Sequence, residues 1–91
     1  MKFEWDETKN KANLAKHGID FDHAILVFFD TNRIEWIDKR KDYGEIRYIT
    51  IGLIKEKLYC IVYTIRQKKY RLISARGARK DEKQDYYRNS R

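Results

Sequence analysis

Residues 46–76 have the sequence IRYITIGLIKEKLYCIVYTIRQKKYRLISAR, the longest strand-like stretch of the chain. It contains three runs that are rich in Ile, Val, Tyr and Thr: residues 46–54, 57–66 and 69–76. Side chains of these types pack well on the pleated surface of a sheet. Because only short charged turns at residues 55–57 and 67–69 separate the runs, we expect them to form an antiparallel meander.

The segment before this meander has the pattern of one short strand and two helices. Residues 1–5 alternate apolar and charged side chains, and Asp6 is placed to cap a helix over residues 7–17 that ends at Gly18. Asp20 is placed to cap a second helix, in which four apolar side chains recur at i, i+3, i+4 and i+7: Phe21, Ala24, Ile25 and Phe28. We expect this second helix to supply most of the helical side of the core.

Further strand and helix signals lie on both sides of the meander. The alternation around Ile34 and Trp36 predicts another strand, followed by a charged loop over residues 38–44. After Gly77, the polar residues 78–88 are compatible with a helix. The predicted order is β-α-α-β-β-β-β-α, an α+β fold with a mostly antiparallel sheet and the helices packed on one face.

The composition limits the class of protein. The chain has 91 residues, no proline and no linker-like or repeated segment, so we expect residues 1–91 to form a single domain. Its apolar runs are far shorter than the about 20 residues of a membrane helix, and its first residues lack the pattern of a signal peptide. These features predict a cytoplasmic protein with no membrane partner. One cysteine and two histidines give no metal-ligand spacing, so no metal or other cofactor is expected.

The chain carries an excess of positive charge that favours a polyanionic partner. Lys and Arg total 21 against 14 Asp and Glu, for a net charge of +7. Five arginines in or beside the meander are interleaved with tyrosines: Arg47, Arg66, Arg71, Arg76 and Arg79, with Tyr48, Tyr59, Tyr63 and Tyr70. Guanidinium groups bind phosphates through paired hydrogen bonds and tyrosine rings can stack unpaired bases, a combination that suits single-stranded RNA.

The same residues also fit a purely structural interpretation. Arginines on a sheet often form surface ion pairs, and strand tyrosines often belong to the core. Strict alternation along residues 69–76 also places Arg71 and Arg76 on opposite faces of the sheet. The arginines and tyrosines alone therefore leave both interpretations open.

Short motifs distributed from residue 3 to about residue 87 form an ordered pattern. They are Phe3-Glu4-Trp5-Asp6, Asn13, Lys16-His17-Gly18, Phe21, Ala24, Glu45-Ile46-Arg47-Tyr48, Ile51-Gly52, Ile73-Ser74-Ala75-Arg76, Arg79 and Glu82. In this order and spacing they resemble the BrnT family of type II toxins. The resemblance implies a RelE-like fold and a ribonuclease that arrests growth by cutting RNA. It also implies a BrnA-type antitoxin with a ribbon-helix-helix DNA-binding domain, and a toxin–antitoxin complex that binds and represses its own promoter.

RelE-like chemistry, as the resemblance implies it, needs no metal ion. The RNA 2′-hydroxyl attacks the adjacent phosphate, so the protein must accept a proton, stabilise a more negative phosphorane and protonate the departing 5′-oxygen. We assign Arg47 and Arg76 to the scissile phosphate, and Arg79 supports them from the start of the last helix. The other expected substrate contacts are Lys16, Arg71 and Tyr48.

Two residues are alternative general bases. His17 is one candidate, because histidine is the residue type whose unperturbed pKa suits proton transfer at neutral pH. A histidine beside a C-capping glycine can also simply interact with its helix end. Glu45 precedes Arg47 by two residues, so both side chains point to the same side of an extended chain, where an ion pair without a catalytic part is equally expected.

Two other functions fit the same residues. One is a non-catalytic basic module that holds RNA or DNA, and the other is a protein-interaction subunit whose charge pairs with an acidic partner. Cleavage of RNA in EDTA separates an endoribonuclease from the first of these. Growth arrest that persists after Arg47 and Arg76 are both replaced by alanine would place the chemistry elsewhere.

Overall fold

A five-stranded sheet with helices on both sides forms the fold in the computed structural model, which describes residues 1–89. The strands are β1 (Phe3–Glu4), β2 (Ile34–Ile37), β3 (Arg47–Ile54), β4 (Lys57–Arg66) and β5 (Lys69–Gly77). The helices are α1 (Glu7–His17), α2 (Phe21–Ala24), a 3₁₀ helix (Ile25–Phe29) and α3 (Lys80–Asn89). The strand order across the sheet is β1-β5-β4-β3-β2, and only β1 and β5 pair in parallel. The predicted α+β class and mostly antiparallel sheet are confirmed.

The meander closes through two short turns. Ile54 pairs with Lys57 at the first turn and Arg66 pairs with Lys69 at the second. Gln67 and Lys68 both have positive φ angles, 49° and 64°, the geometry that matches the twist of a two-residue hairpin. The predicted antiparallel meander is therefore confirmed.

The caps of the first two helices also follow the sequence prediction. The Asp6 side chain accepts a hydrogen bond from the Thr8 N–H at 2.8 Å, and Gly18 ends α1 with a φ of 74°. The Asp20 side chain accepts from the His23 N–H at 2.8 Å. These hydrogen bonds satisfy backbone donors that an uncapped helix leaves free.

The second helix is shorter than predicted. After Ala24 the chain tightens into the 3₁₀ helix, so Val27 is fully buried while Ile25 stays half-buried. Val27 faces Gly52 on β3, where an added Cβ would lie 2.6 Å from Val27 Cγ1. The bare backbone of Gly52 therefore allows the 3₁₀ helix to approach the sheet closely.

Gly52→Ala is expected to destabilise the protein by about 1–3 kcal/mol, because the new methyl group overlaps Val27 and well-packed cores resist added volume. The measurement is urea unfolding. Gly77→Ala is the matched control, since a Cβ there meets only Lys57 Cε at 3.8 Å. Equal midpoints for the two variants would contradict the close approach.

The helices cover both faces of the sheet, so the prediction of one helical face is wrong. On one face, α1, α2 and the 3₁₀ helix bury a core of Phe21, Ala24, Val27, Phe28, Ile61, Tyr63, Leu72 and Ala75. On the other face, which we call the α3 face, Tyr86 packs against Ile49, Ile51, Leu58, Cys60 and Val62. The physical reason is that β3 and β4 carry apolar side chains on both sides, as strands buried on both faces do. No helix within residues 1–89 is long and apolar enough to span a bilayer.

Buried Asn13 connects α1 to the edge of the sheet. Its Nδ2 donates to the Ala75 carbonyl at 2.8 Å and to the Ile19 carbonyl at 2.9 Å, and its Oδ1 accepts from the Ala75 N–H at 3.0 Å. Strand β1 pairs with β5 only at Tyr70 and Arg71, so within residues 1–89 this part of the β5 edge has no strand partner. The Asn13 amide thus replaces a neighbouring strand at Ala75.

Candidate functional site

The α3 face gathers most of the arginines of the meander. Arg47 on β3 and Arg71 on β5 both pair with Thr64 on the central strand β4, and Arg76 pairs with Cys60. The register between β4 and β5 shifts after Val62, which leaves one extra residue on β5. This bulge overrides strict alternation, so the expectation that Arg71 and Arg76 lie on opposite faces is wrong.

A groove of about 380 Å³ lies on the α3 face, between the β2–β3 loop and the start of α3. We call it the arginine groove. It is lined by Trp36, Ile37, Asp38, Lys39, Arg40, Ile49, Arg76, Arg79 and Glu82. The four cationic side chains outnumber the two carboxylates, so the lining attracts a polyanion.

Arg76 is held in the arginine groove by a two-pronged ion pair with Glu82. Arg76 Nη1 donates to Glu82 Oε1 and Nη2 to Oε2, each at 2.8 Å, and Nη1 also contacts the Gly77 carbonyl at 3.2 Å. The Arg79 N–H donates to Glu82 Oε1 at 2.8 Å, and Arg79 Nη2 lies 3.3 Å from Oε2. One buried carboxylate therefore positions both arginines.

The charge of Glu82 is set by this environment. Burial alone would raise the pKa of the Glu82 carboxyl, but hydrogen bonds from Arg76 and from the Arg79 N–H outweigh it and lower the pKa to about 2. The same ion pair raises the pKa of Arg76. Cys60 lies beneath the pair, and burial raises the pKa of its thiol to about 12. The thiol is thus uncharged at neutral pH.

The lowered pKa of Glu82 predicts a loss of stability in acid. The ordinary value is 4.5 and the folded value about 2, so the unfolded chain takes up a proton first as the pH falls. The stabilisation from Glu82 is therefore complete above about pH 4.5 and disappears as the pH approaches 2. We expect Glu82→Gln to be less stable at pH 7 and to show a smaller fall in unfolding free energy across this interval.

Urea unfolding at a series of pH values measures this effect. The exposed turn residue Glu56 supplies the matched control, Glu56→Gln. If Glu82→Gln and Glu56→Gln lost stability equally between pH 4.5 and 2, the ion pair would not be the source of the acid sensitivity.

The β2–β3 loop is folded around a second buried carboxylate, Asp38. Arg40 donates to it from Nε at 2.8 Å and from Nη2 at 2.7 Å, and the Tyr43 hydroxyl donates at 2.9 Å. The hydrogen bonds from Arg40 hold the pKa of Asp38 well below its usual range. Asp38 therefore stays anionic and places Arg40 on the wall of the arginine groove.

Arg47 and Glu45 lie together at the start of β3, beside the arginine groove but not in its lining. Arg47 Nε donates to Glu45 Oε2 at 3.2 Å, and its guanidinium lies 4.1 Å from the centre of the Tyr43 ring. Arg66 Nη2 donates to the other Glu45 oxygen at 2.9 Å. These hydrogen bonds, the one from Arg66 first, lower the pKa of Glu45. Glu45 is thus a carboxylate shared by two arginines.

The other sequence-predicted site residues lie elsewhere. Lys16 and His17 are exposed at the end of α1 and line a separate groove with Ile73 and Ser74. Arg71 is on the α3 face, where its Nη1 lies 3.5 Å from Glu4 Oε2. The structure brings Arg76 and Arg79 into one groove, but it does not bring Lys16 or His17 there.

Tyr48 points to the opposite side of the sheet from Arg47. Its ring stacks on Tyr63 at a centroid distance of 5.2 Å, and Tyr63 stacks on Tyr70, also at 5.2 Å. Tyr63 is buried, and Tyr48 and Tyr70 are half-buried. The meander tyrosines thus form an internal stack, as in the structural interpretation of the sequence.

Sequence reasoning missed several residues that line the arginine groove. Arg40 was visible only as part of the basic run Lys39-Arg40-Lys41, and no local pattern indicated that Asp38 would fold it back onto the sheet. Glu82 was part of the family pattern but had no assigned role. Trp36 was identified only by its strand alternation. The only sequence feature that could have indicated Arg40 as a groove residue was its place in a basic loop directly after the predicted strand around Trp36.

A family model described as the ribonuclease toxin, BrnT, of type II toxin–antitoxin systems matches residues 5–82. The match begins just after β1 and ends in the first turn of α3, so it includes every residue that lines the arginine groove. The comparison with curated proteins found no match.

Proposed function

Because the chain belongs to the BrnT family of ribonuclease toxins of type II toxin–antitoxin systems, we propose that it arrests growth as a metal-independent endoribonuclease that cuts RNA in the arginine groove. The observation that carries this proposal is the fixed position of Arg76. A buried carboxylate holds its guanidinium in an open groove that Arg40 and Arg79 also line. Preorganised cations of this kind stabilise charge that develops on a phosphate.

Arg76 keeps donors for substrate despite its ion pair. A guanidinium has five N–H groups. Three of them are used by the contacts to Glu82 and Gly77, which leaves Nε–H and one N–H of Nη2 with no hydrogen-bond acceptor among residues 1–89. These two groups suit two oxygens of one phosphate, the fork geometry in which arginine binds phosphate best.

The proposed reaction is a transesterification within the RNA. The 2′-oxygen bonds to the adjacent phosphorus and loses its proton, and the P–O bond to the 5′-oxygen breaks as that oxygen gains a proton. The products are a 2′,3′-cyclic phosphate and a 5′-hydroxyl end. Arg76 and Arg79 supply the stabilisation of the phosphorane, and Arg47 supports it from β3.

The carboxylates of the groove are weak bases. The pKa values of Asp38 and Glu82 are lowered by their arginine partners, so neither takes up a proton readily at neutral pH. We keep the two alternative general bases as the proposal. Glu45 also has a lowered pKa but lies beside Arg47, whereas His17 lies in a separate groove and would act only on RNA that spans both grooves. A pH profile of kcat/KM identifies which one acts. The variant that lacks the true base, His17→Ala or Glu45→Gln, loses the acidic limb, which is the rise in kcat/KM as the base gives up its proton.

The family match also supports a wider proposal. We propose a RelE-like arrangement of residues 1–91 in one cytoplasmic domain, with Lys16 and Arg71 as further RNA contacts. Tyr48, which was expected to contact RNA, stacks on Tyr63 on the opposite face of the sheet and is not proposed as a contact. The proposed partner is a BrnA-type ribbon-helix-helix antitoxin, and the complex would repress its own promoter. The net charge of +7 supports an acidic partner segment. Co-purification with the product of the adjacent gene, and a mobility shift of the promoter DNA by the complex, test this part.

The central test incubates the purified protein with single-stranded RNA in EDTA. We expect fragments with 2′,3′-cyclic phosphate ends, and we expect Arg79→Ala to cut more slowly than the wild type. Arg88→Ala is the matched control, since Arg88 is a similarly exposed arginine, on α3, that pairs with Asp85 outside the arginine groove.

Three outcomes would contradict the proposal in different ways. Intact RNA that remains bound would favour a non-catalytic binding module. Antitoxin binding with no RNA binding would favour an interaction subunit. Cleavage only after Mg²⁺ is added would contradict metal independence while leaving the ribonuclease assignment in place.

A further inference from the structure

Trp36 occupies the boundary between two grooves on the α3 face. It lies on β2 opposite Ile49 and lines the arginine groove on one side. On the other side it lines a second groove of about 340 Å³ together with Ile34, Glu35, Asp85 and Asn89. We call this second groove the acidic groove. Trp36 is the one aromatic side chain of the described residues that lines either groove.

The indole ring of Trp36 is free to meet a ligand. Its residue is 39% exposed, and within residues 1–89 it stacks on no other ring, whereas Tyr48, Tyr63 and Tyr70 stack on one another. The backbone of Trp36 is held by pairing with β3, which limits the freedom that binding would remove. An exposed, rigidly held aromatic ring beside a cationic groove is the arrangement that single-stranded nucleic acids use for stacking.

The two grooves differ in the groups they offer. The arginine groove presents four cationic side chains, which suit phosphates. The lining of the acidic groove contains no cationic side chain, so it offers a phosphate no comparable site. Its carboxylates already have partners: Glu35 accepts from Arg33 and from the Tyr63 hydroxyl, and Asp85 pairs with Arg88. An RNA strand bound here would therefore keep its backbone among the arginines and turn a base towards Trp36.

We propose that Trp36 is a substrate-binding residue that stacks the base of the nucleotide next to the phosphate held by Arg76 and Arg79. This inference rests on the proposed ribonuclease function and specifies how that site reads its substrate. It transfers the base-stacking role that the sequence suggested for the meander tyrosines to the α3 face. The stacked base contributes to RNA binding whatever its identity, because every base has a π face.

Tryptophan fluorescence tests the contact directly. The chain has two tryptophans, and the other one, Trp5, packs against Phe21 on the opposite face of the sheet. In Trp5→Phe, Trp36 is the sole indole, and we expect a short 2′-O-methyl RNA, which cannot be cleaved, to quench its fluorescence saturably. In Trp36→Phe, the remaining Trp5 should not respond to the same RNA.

Cleavage kinetics test its contribution. The substrate is an oligonucleotide with a single 2′-hydroxyl and an abasic site on one or other side of the scissile phosphate. We expect Trp36→Leu, which keeps apolar bulk without a π face, to raise KM about tenfold and Trp36→Phe to restore most of the loss. With the wild-type protein, an abasic site at the stacked position should raise KM by about as much as Trp36→Leu does. With the Trp36→Leu protein, the same abasic site should raise KM little further. Phe29→Leu, an exposed aromatic outside both grooves, is the control.

The outcomes separate this inference from the function on which it rests. Normal cleavage by a folded Trp36→Leu protein with unchanged KM and no quenching by RNA overturns the stacking role and leaves the ribonuclease intact. Weakened antitoxin binding with unchanged KM assigns Trp36 to the partner interface and overturns it as well. A wild-type protein that neither binds nor cuts RNA overturns both.

Discussion

Arg76→Ala is expected to lower kcat/KM for RNA cleavage by about 10²–10³-fold, the usual loss when one preorganised donor to a transition-state oxyanion is removed. The substitution removes the two N–H groups that have no acceptor among residues 1–89 and that we propose bind the phosphate. It also leaves the buried anion of Glu82 with Arg79 as its remaining cation, so the groove becomes less attractive to RNA. The measurement is single-turnover cleavage of a short RNA in EDTA.

The same substitution disturbs the fold, so activity and stability must be separated. A buried charge that loses its partner typically costs about 3–5 kcal/mol. The double variant Arg76→Ala/Glu82→Gln removes both charges, and we expect it to recover stability but not activity. Arg76→Lys keeps the charge without the two-pronged geometry and should fall between wild type and Arg76→Ala. Wild-type cleavage by a folded double variant would show that the phosphate is held elsewhere.

Asn13→Ala is expected to destabilise the protein by about 3 kcal/mol or more. The side chain satisfies the Ala75 N–H and the carbonyls of Ala75 and Ile19, all in buried positions, and an unsatisfied buried group costs about 1–3 kcal/mol. Alanine is also the better helix former, so the loss of hydrogen bonds must exceed a small gain in helix propensity. Urea unfolding at neutral pH measures the difference.

Two further variants identify the cause. Lys11→Ala, on the exposed side of the same helix, is the control and should change stability by less than about 0.5 kcal/mol. Asn13→Asp keeps the size but places a carboxylate against two carbonyl oxygens, so it should be more destabilising at pH 7 than in acid, where the protonated carboxyl can donate. If Asn13→Ala matched Lys11→Ala, the edge of β5 would not depend on this amide.

The sequence was sufficient where local chemistry determines structure. Strand β4 spans Lys57–Arg66 as predicted, because its residue types and the turns that flank it act over a few neighbours. The caps at Asp6 and Gly18 are equally local. The family pattern includes both Arg76 and Glu82, and the structure adds that they contact each other.

The sequence was insufficient where distant contacts decide. Strands β3 and β4 carry apolar side chains on both faces of the sheet. The alternation of residues along these strands therefore does not indicate which face α3 covers. The bulge beside Val62 changes the orientation of half of β5 with no glycine to mark it. Arg40 reaches the groove only because Asp38 is buried by the folded loop. In the first two cases the deciding partner lies on another element. Asp38 is only two residues from Arg40, but its burial depends on the fold of the whole loop.

The position of α3 has a consequence for synthesis. Because the ribosome makes the chain from its N-terminus, residues 80–89 emerge after every strand, and the groove acquires Glu82 only at that stage. A nascent chain that has folded its sheet still holds Arg76 without the carboxylate that orients it. We therefore expect the nascent chain to lack an oriented Arg76 until α3 has been translated, a delay that results from the order of the elements along the chain.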